Sequence, residues 1–361
     1  MTANDHRIDA RDWSLLAVLS VLWGGSFFFN SVALREFPPL TLVLMRVALA
    51  AIILLPMLRI YRIRFPASLS GWQPFFVVAL FNNVLPFSLI VIGQTYIPSG
   101  LASILNATTP LFTVMVMAAA GDEKLHARRV VGIVTGLIGV IILHGQDLHG
   151  QDLHGQDPGF QSGEGVGILL CLAAAFSYGL SALYARRKLS NSPPLATATF
   201  QLLASALMMT IVAAVFERPW QLPMPGVTTW LAMIGLAALS TALAYIVFFQ
   251  VLRRSGSTNV MLVTLLIPVT AILLGYLVLG ESISLREIIG ALVIGSALLL
   301  MDGRVLKLIP GFSIDLASVM SAESTHKPMP NPASVTALRR LGDLVCGIGV
   351  GARGALKNWL Q

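Results

Sequence analysis

The chain has 361 residues, 56% of them hydrophobic and only 11% charged, with a mean hydropathy of +0.79 and a formal charge of +7. A soluble globular chain carries about 25% charged residues, so the solvent here must be largely lipid, and no length is left for a large soluble domain. The basic residues sit in small clusters between apolar runs, as membrane orientation requires, which argues against a nucleic-acid partner.

Arg7 and Arg11 precede the first apolar run, 13–34. That run is longer than the core of a signal peptide and lacks a clear small-x-small cleavage site, so it reads as a retained transmembrane helix. Further runs long enough to cross a bilayer follow at 38–58, 72–93, 97–120, 128–144, 163–185, 194–216, 227–251, 257–279 and 284–301. The expected fold class is all-α integral membrane, with ten transmembrane helices. Residues 1–12 form a cytoplasmic N-terminus, 13–144 a first five-helix repeat, 145–162 an outside loop, 163–301 a second five-helix repeat and 302–361 a cytoplasmic tail.

Orientation follows from Lys and Arg. With the N-terminus inside, the inner segments hold Arg7, Arg11, Arg59, Arg62, Arg64, Lys124, Arg128, Arg129, Arg186, Arg187, Lys188, Arg253 and Arg254, whereas the outer loops hold Arg35, Arg218 and Arg286. That asymmetry is a strong positive-inside signal, and it places both termini in the cytoplasm of a cell whose inner (plasma) membrane the chain spans.

The chain also resembles itself. A shift of 155 residues aligns Gly24 with Gly179, Ser26 with Ser181 and Pro38-Pro39-Leu40 with Pro193-Pro194-Leu195. A shift of 158 aligns Ser99 with Ser257, Pro110 with Pro268, Glu123 with Glu281 and Gly132 with Gly290. Five spans per half is an odd number, so the second half is expected upside down relative to the first. Inverted repeats of this kind build two exchangeable conformations around a midplane site.

Leu22-Trp23-Gly24 with Ser26-Phe27 in the first span resembles the drug/metabolite transporter superfamily. So does Pro110…Gly121-Asp122-Glu123…Gly132, repeated as Pro268…Gly280-Glu281…Gly290. The resemblance is to the ten-helix, EamA-type permeases and covers roughly residues 13–301. It implies a basket-like bundle with helices 1–4 and 6–9 around a central cavity and helices 5 and 10 at the periphery. It also implies export of small polar metabolites such as amino acids or nucleosides.

Arg46 is the outstanding intramembrane polar group, since such groups are costly and need partners. It lies about eight residues into the second span, hence roughly 12 Å from the outer edge, and its repeat partner is the neutral Gln201. A guanidinium there favours a carboxylate or phosphate; the other reading is an arginine that braces a neighbouring helix or snorkels outward. Every Asp and Glu falls at a helix end or in a loop, which disfavours proton–cation antiport through a buried carboxylate. Glu123 and Glu281 read as structural markers of helix ends.

Trp23, Ser26 and Asn30 in span 1, Asn82 and Asn83 in span 3, and Asn106 and Thr109 in span 4 form a further polar set. Tyr178 and Ser181 in span 6, Thr241 and Tyr245 in span 8 and Thr264 in span 9 complete it. Each could glue helices together; as a set, several lining a cavity for a small polar solute is the expectation. Pro110 and Pro268 are expected to kink their spans, as gates or as static bends. Gly132 and Gly136 form a GxxxG pair expected to pack on the chain's own bundle rather than on a second copy, and either a monomer or a homodimer is compatible with it.

Residues 143–157 read LHGQD three times, and their histidines and aspartates raise metal binding, although the spacing in a Gly-containing loop preorganises no ligands and a linker is the plainer reading. With two cysteines, Cys171 and Cys346, no metal site or cofactor is expected. Within the tail, residues 337–360 are either an amphipathic helix on the inner leaflet or disordered. No HExxH, GxSxG or GxxxxGK[ST] pattern occurs, so neither an intramembrane enzyme nor a primary pump is expected. The leading expectation is a secondary exporter of small polar metabolites by alternating access. A drug or quaternary-amine efflux permease is the alternative, and a membrane scaffold or sensor subunit the reading of another class.

Overall fold

A computed structural model describes residues 10–123, 125–144, 163–260 and 262–302. Most of the LHGQD repeat and the tail lie outside them. Among the described residues the chain forms ten long helical elements. In chain order these are α1 (Ala10–Ala33), α2 (Pro39–Ile60), α3 (Leu69–Gly93), α4 (Ser99–Ala119), α5 (Ala127–His144), α6 (Glu164–Lys188) and α7 (Pro194–Phe216). Then come α8 (Val227–Ala237, Ala238–Leu243 and Ala244–Val260), α9 (Val263–Leu279) and α10 (Leu285–Asp302). Seven helices among the described residues are long and apolar enough to cross a membrane, and Val263–Leu279 is a shorter apolar helix.

The exterior carries Ile52, Leu207, Ile211, Phe216 and Leu277, each more than half exposed. An apolar face of this extent suits hydrocarbon rather than water. Within, one cluster joins Leu16, Leu105, Ile168 and Ile267, and another joins Leu42, Leu54, Leu202 and Leu236.

Helix starts explain much of the packing. The first amides of a helix have no partner inside it, and a proline at the N-cap offers no side-chain oxygen. Where α2 follows Pro38, the amides of Leu40 and Thr41 donate instead to Glu217 at the end of α7, at 2.9 and 2.6 Å. Where α4 follows Pro98, the amides of Ser99 and Gly100 donate to Glu281 at the end of α9, at 3.0 and 3.3 Å. Glu36, after α1, accepts from the amide of Gly226 at the start of α8. A carboxylate at a helix N-terminus also meets the positive end of the helix dipole. Three acids thus tie one end of the bundle together.

α5 and α10 pack along each other through small residues. A Cβ on Gly132 would meet Met301 and Ala297 of α10, and one on Gly139 would meet Ile294 and the carbonyl of Gly290. Gly136 faces Leu111 of α4. The GxxxG pair therefore packs within the chain.

Two boundaries differ from the sequence reading. The eighth helix does not stop near 251 but runs to Val260, and α9 begins at Val263 rather than 257. Residues 252–260 are polar and Gly-containing, so hydropathy alone places a loop there; a helix can continue past the apolar zone because its own backbone bonds are internal. At Pro110 the span breaks: α4 is interrupted at Ala107 and Thr108, and Pro110 is the second residue of the resumed helix. Pro268 sits inside an uninterrupted helical stretch, Val263–Leu274.

A central cavity built on two π-turns

α3 and α8 each contain a π-helical turn, Leu80–Val84 and Ala238–Leu243. A π-turn inserts one residue into the helical register and re-aims the side chains that follow, and such turns gather at functional sites. In α3 the turn carries Asn82 and Asn83; in α8 it carries Ser240 and Thr241. Side chains help hold both turns. Ser177 Oγ donates to the Phe81 carbonyl at 2.8 Å, and Thr241 Oγ1 donates to the Leu236 carbonyl, five residues back, at 2.9 Å.

The π-turns border a cavity of about 400 Å³. Its wall comes from α1–α4 and α6–α9, with no contribution from α5 or α10. α1 supplies Trp23, Ser26 and Asn30, which share a face by their three- and four-residue spacing. α2 supplies Arg46, α3 Asn82, and the two sides of the interruption in α4 supply Asn106 and Thr109. α6 supplies Tyr178 and Ser181, α8 Thr241 and Tyr245, and α9 Thr264. The cavity extends to Ala185 and Thr197, close to the α6–α7 connection.

Twelve of the thirteen polar and aromatic positions singled out in the sequence therefore meet around one space; Asn83 does not. It is fully buried behind the wall, where its Nδ2 donates to Ser205 Oγ at 2.9 Å and its Oδ1 accepts from the Tyr245 hydroxyl at 3.2 Å. Asn82 faces the cavity and its neighbour Asn83 turns away from it, toward α7 and α8. Asn83 binds α3 to α7 and α8 instead.

Several lining residues were not among the candidates. Gln201 lines the cavity and accepts from Asn82 Nδ2 at 3.3 Å; its position as the repeat partner of Arg46 was the available signal. Thr113, Thr197, Ser240, Phe87, Phe248 and Phe249 also line it. Phe87 and the phenylalanines of α8 carry no polar mark, so nothing short of packing reveals them.

Arg46 is 5% exposed and does not snorkel. Its Nε donates to Thr241 Oγ1 at 3.0 Å, whose own proton is committed to Leu236, and its guanidinium carbon stands 3.8 Å from the centre of the Phe87 ring. Thr241 thus supplies a lone pair and Phe87 a negative ring face. No carboxylate among the described residues forms an ion pair with Arg46. Pairing is the usual condition for burying a charge, so this wall presents an uncompensated cation with further N–H donors to spare.

Among the described residues, three buried side-chain polar atoms have no hydrogen-bond partner: Asn30 Oδ1, Asn106 Oδ1 and Ser240 Oγ. All three belong to lining residues of this cavity. Buried polar atoms are normally satisfied, so their concentration in the wall of one space sets it apart. Aromatic surface completes the wall, with Trp23 and Phe248 at 5.4 Å between ring centres and Tyr245 stacked on Phe249 at 6.2 Å.

Comparison with known proteins decides the family. The EamA-like transporter family matches residues 12–144 and again residues 165–301. The chain belongs to this family. The family is one of transporters. The chain is 24% identical to an uncharacterized transporter, YoaV, of Bacillus subtilis, with 78% of this chain and 93% of that protein covered. It is 28% identical to a protein of Escherichia coli named as a probable amino-acid metabolite efflux pump, over 80% and 93%. It is 26% identical to an uncharacterized inner membrane transporter, YedA, also of E. coli, over 75% and 84%. One crystal structure matches with a TM-score of 0.56 at 19% identity, over 81% of this chain and 96% of that one, which shows a shared fold. This EamA-like chain is thus a multi-pass membrane protein whose lining residues come from both matched segments.

Proposed function

We propose that this EamA-family protein is a secondary transporter that exports small polar solutes bearing a carboxylate, amino acids or closely related metabolites, across the cytoplasmic membrane. The observation that carries the reading is Arg46, a buried guanidinium in the cavity wall with no acid among the described residues to neutralise it. A solute carboxylate supplies the missing charge, and the planar fork of arginine matches it in two parallel hydrogen bonds. A relative named as a probable amino-acid metabolite efflux pump supports the same class.

In this reading the chain crosses the membrane ten times as two inverted five-helix repeats, with both termini in the cytoplasm. The cavity, reaching toward the α6–α7 connection, then faces inward. Alternating access exchanges this state with one open outward. The twelve lining candidates, with Gln201, bind or gate the solute, and either a monomer or a homodimer can do this.

Aromatic walls favour one competing occupant, a quaternary amine held by cation–π contacts. A second cation beside Arg46 is repelled, so this reading ranks below the first. A scaffold or sensor role leaves Arg46 dispensable.

Flux into proteoliposomes holding purified protein separates these readings. Radiolabelled amino acids, nucleosides and a quaternary amine are offered to wild type and Arg46→Gln, each with and without a pH gradient. We expect amino-acid flux in wild type and its loss, by at least about 10-fold, in Arg46→Gln, as removal of a charge-assisted hydrogen bond implies. Flux of the quaternary amine alone, indifferent to Arg46, would overturn the proposal.

A further inference from the structure

The orientation of Asn30 is set by a chain of hydrogen bonds that starts outside the cavity. Gln94, at the end of α3, donates from Nε2 to the Phe27 carbonyl at 3.0 Å and to Ser31 Oγ at 3.2 Å. A backbone carbonyl only accepts, so Gln94 must turn its nitrogen toward Phe27 and its Oε1 the other way. That oxygen then requires a donor, and Asn30 Nδ2 provides it at 2.8 Å. The amide of Asn30 is thereby locked, and Oδ1 is the atom left over. It is buried, unpartnered and carried by a residue of the cavity wall. Asn30 is 1% exposed and Gln94 9% exposed, so water does not compete for these bonds.

An orphan carbonyl oxygen held in this way selects a donor. Asn106 adds a second orphan Oδ1 to the same wall from the interruption in α4. Among the described residues no carboxylate lines the cavity, so a cationic donor is met there by neutral oxygens and ring faces rather than by an ion pair. Arg46 supplies the opposite chemistry elsewhere in the wall.

We propose that Gln94 is a positioning residue that fixes Asn30 Oδ1 as the acceptor for the solute's ammonium group, so that the cavity reads both charges of a zwitterion. This rests on the carboxylate-solute reading above and adds to it a specificity determinant outside the cavity. Neither the charge pattern nor the lining residues point to Gln94; only the direction of the bonds does.

The test compares two probes that differ only in the ammonium, phenylalanine and 3-phenylpropanoate, by equilibrium binding to the purified full-length protein. The quantity read is the ratio of their affinities. Wild type is expected to prefer phenylalanine by roughly 10-fold or more, the scale of one hydrogen bond to a charged group. Asn30→Leu removes the acceptor and is expected to bring the ratio close to one, chiefly by weakening phenylalanine. Gln94→Met frees the Asn30 amide to rotate and should lower the ratio in the same direction, by a smaller factor. Asn30→Asp retains an acceptor oxygen and is expected to keep the preference. If Asn30→Leu fails to fold, Asn30→Ala and Gln94→Met carry the same comparison.

Equal weakening of both probes in the Asn30 and Gln94 variants would mean that these residues only hold the bundle, and would overturn the proposal. The carboxylate reading survives that result if Arg46→Gln weakens both probes. A wild-type protein that binds neither probe overturns both readings.

Discussion

α4 and α9 carry the same landmarks in the same order, yet they are folded differently. α4 begins at Ser99 after a turn, breaks at Ala107 and Thr108, and ends in Gly121, whose φ is +78°. α9 begins at Val263 directly after a helix that runs to Val260, passes through Pro268 and ends in Gly280, whose φ is +71°. Left-handed glycines close both helices, as they commonly do. The acids that follow differ in use. Glu281 caps the start of α4 through Ser99 and Gly100, whereas Glu123 pairs with Arg129 at 2.6 Å and Arg186 at 3.3 Å. Ser257, the counterpart of Ser99, lies inside α8 rather than at a helix start, so the position equivalent to Ser99 offers Glu123 no helix start to cap. One sequence pattern therefore supports two local structures in a single molecule; in the alternating-access reading proposed above, these are the kind of states that inverted repeats exchange.

Removing each acid in turn tests this difference most severely. Glu281→Ala strips partners from the Ser99 amide and hydroxyl and from the Gly100 amide, around a residue with no exposed surface. Unsatisfied buried donors cost about 1–3 kcal/mol each, so with three of them a loss of at least about 3 kcal/mol is expected. Glu123→Ala removes pairs to partly exposed arginines, Arg186 being 52% exposed; such pairs contribute about 0–1 kcal/mol. Thermal unfolding in detergent should show a much larger fall in Tm for Glu281→Ala. Equal falls would mean that the two acids are equivalent and the asymmetry has no energetic basis.

The prolines give a second, smaller contrast. Pro110 cannot donate to the carbonyl of Asn106, four residues back. Thr109 Oγ1 takes that carbonyl instead, at 2.7 Å, and Thr108 Oγ1 takes that of Leu105, at 2.6 Å. Both hydroxyl bonds compete with helical ones and hold the interruption that brings Asn106 to the cavity. Pro110→Ala restores the amide and lets α4 continue as α9 does. It is expected to lower amino-acid turnover several-fold in the flux assay, whereas Pro268→Ala, in an already continuous helix, should stay within about 2-fold, well under 1 kcal/mol. Unchanged transport in both would leave the prolines as static features with no part in gating.

Much of this architecture is legible in the sequence alone. Two-half organisation follows from Pro-Pro, Pro, Glu and Gly recurring in order, and polar residues within apolar runs have to face one another because hydrocarbon offers them no partners. Arg46 and its neighbours on α1, α6 and α8 converge for that reason. What escapes is set by register and by long-range pairing. Asn82 lines the cavity and its neighbour Asn83 does not, a distinction that leaves no mark in hydropathy. Gln94 falls just past an apolar run and looks like a loop residue, yet it reaches Phe27, Asn30 and Ser31 of α1. Glu281 and Ser99 are 182 positions apart, and only the folded bundle joins them. Reading Glu123 and Glu281 as alike is sound for their role at helix ends and silent on which partner each one takes.

A milder change concerns the acid beside Glu123. Asp122 accepts from Arg187 Nε at 3.1 Å and again from Nη2, and Arg187 also donates to the Ala120 carbonyl at the end of α4. The hydrogen bond from Arg187, aided by its charge, holds the Asp122 carboxyl below the usual carboxylate range. A depressed value in the folded state means that the pair stabilises the protein fully above the unfolded value, near 3.9, and that this contribution fades as pH falls through the folded value. Asp122→Asn should therefore flatten the acid limb of a Tm-versus-pH curve below about pH 4, while changing stability at neutral pH by about 1 kcal/mol or less, as befits a partly exposed pair. Because Glu281 caps a buried helix start, Glu281→Gln, which removes the charge facing that start, should cost stability at neutral pH. An acid limb that is identical in wild type and Asp122→Asn would show that the Arg187 contact contributes nothing to this end of the bundle, and that the asymmetry between the halves rests on Glu281 alone.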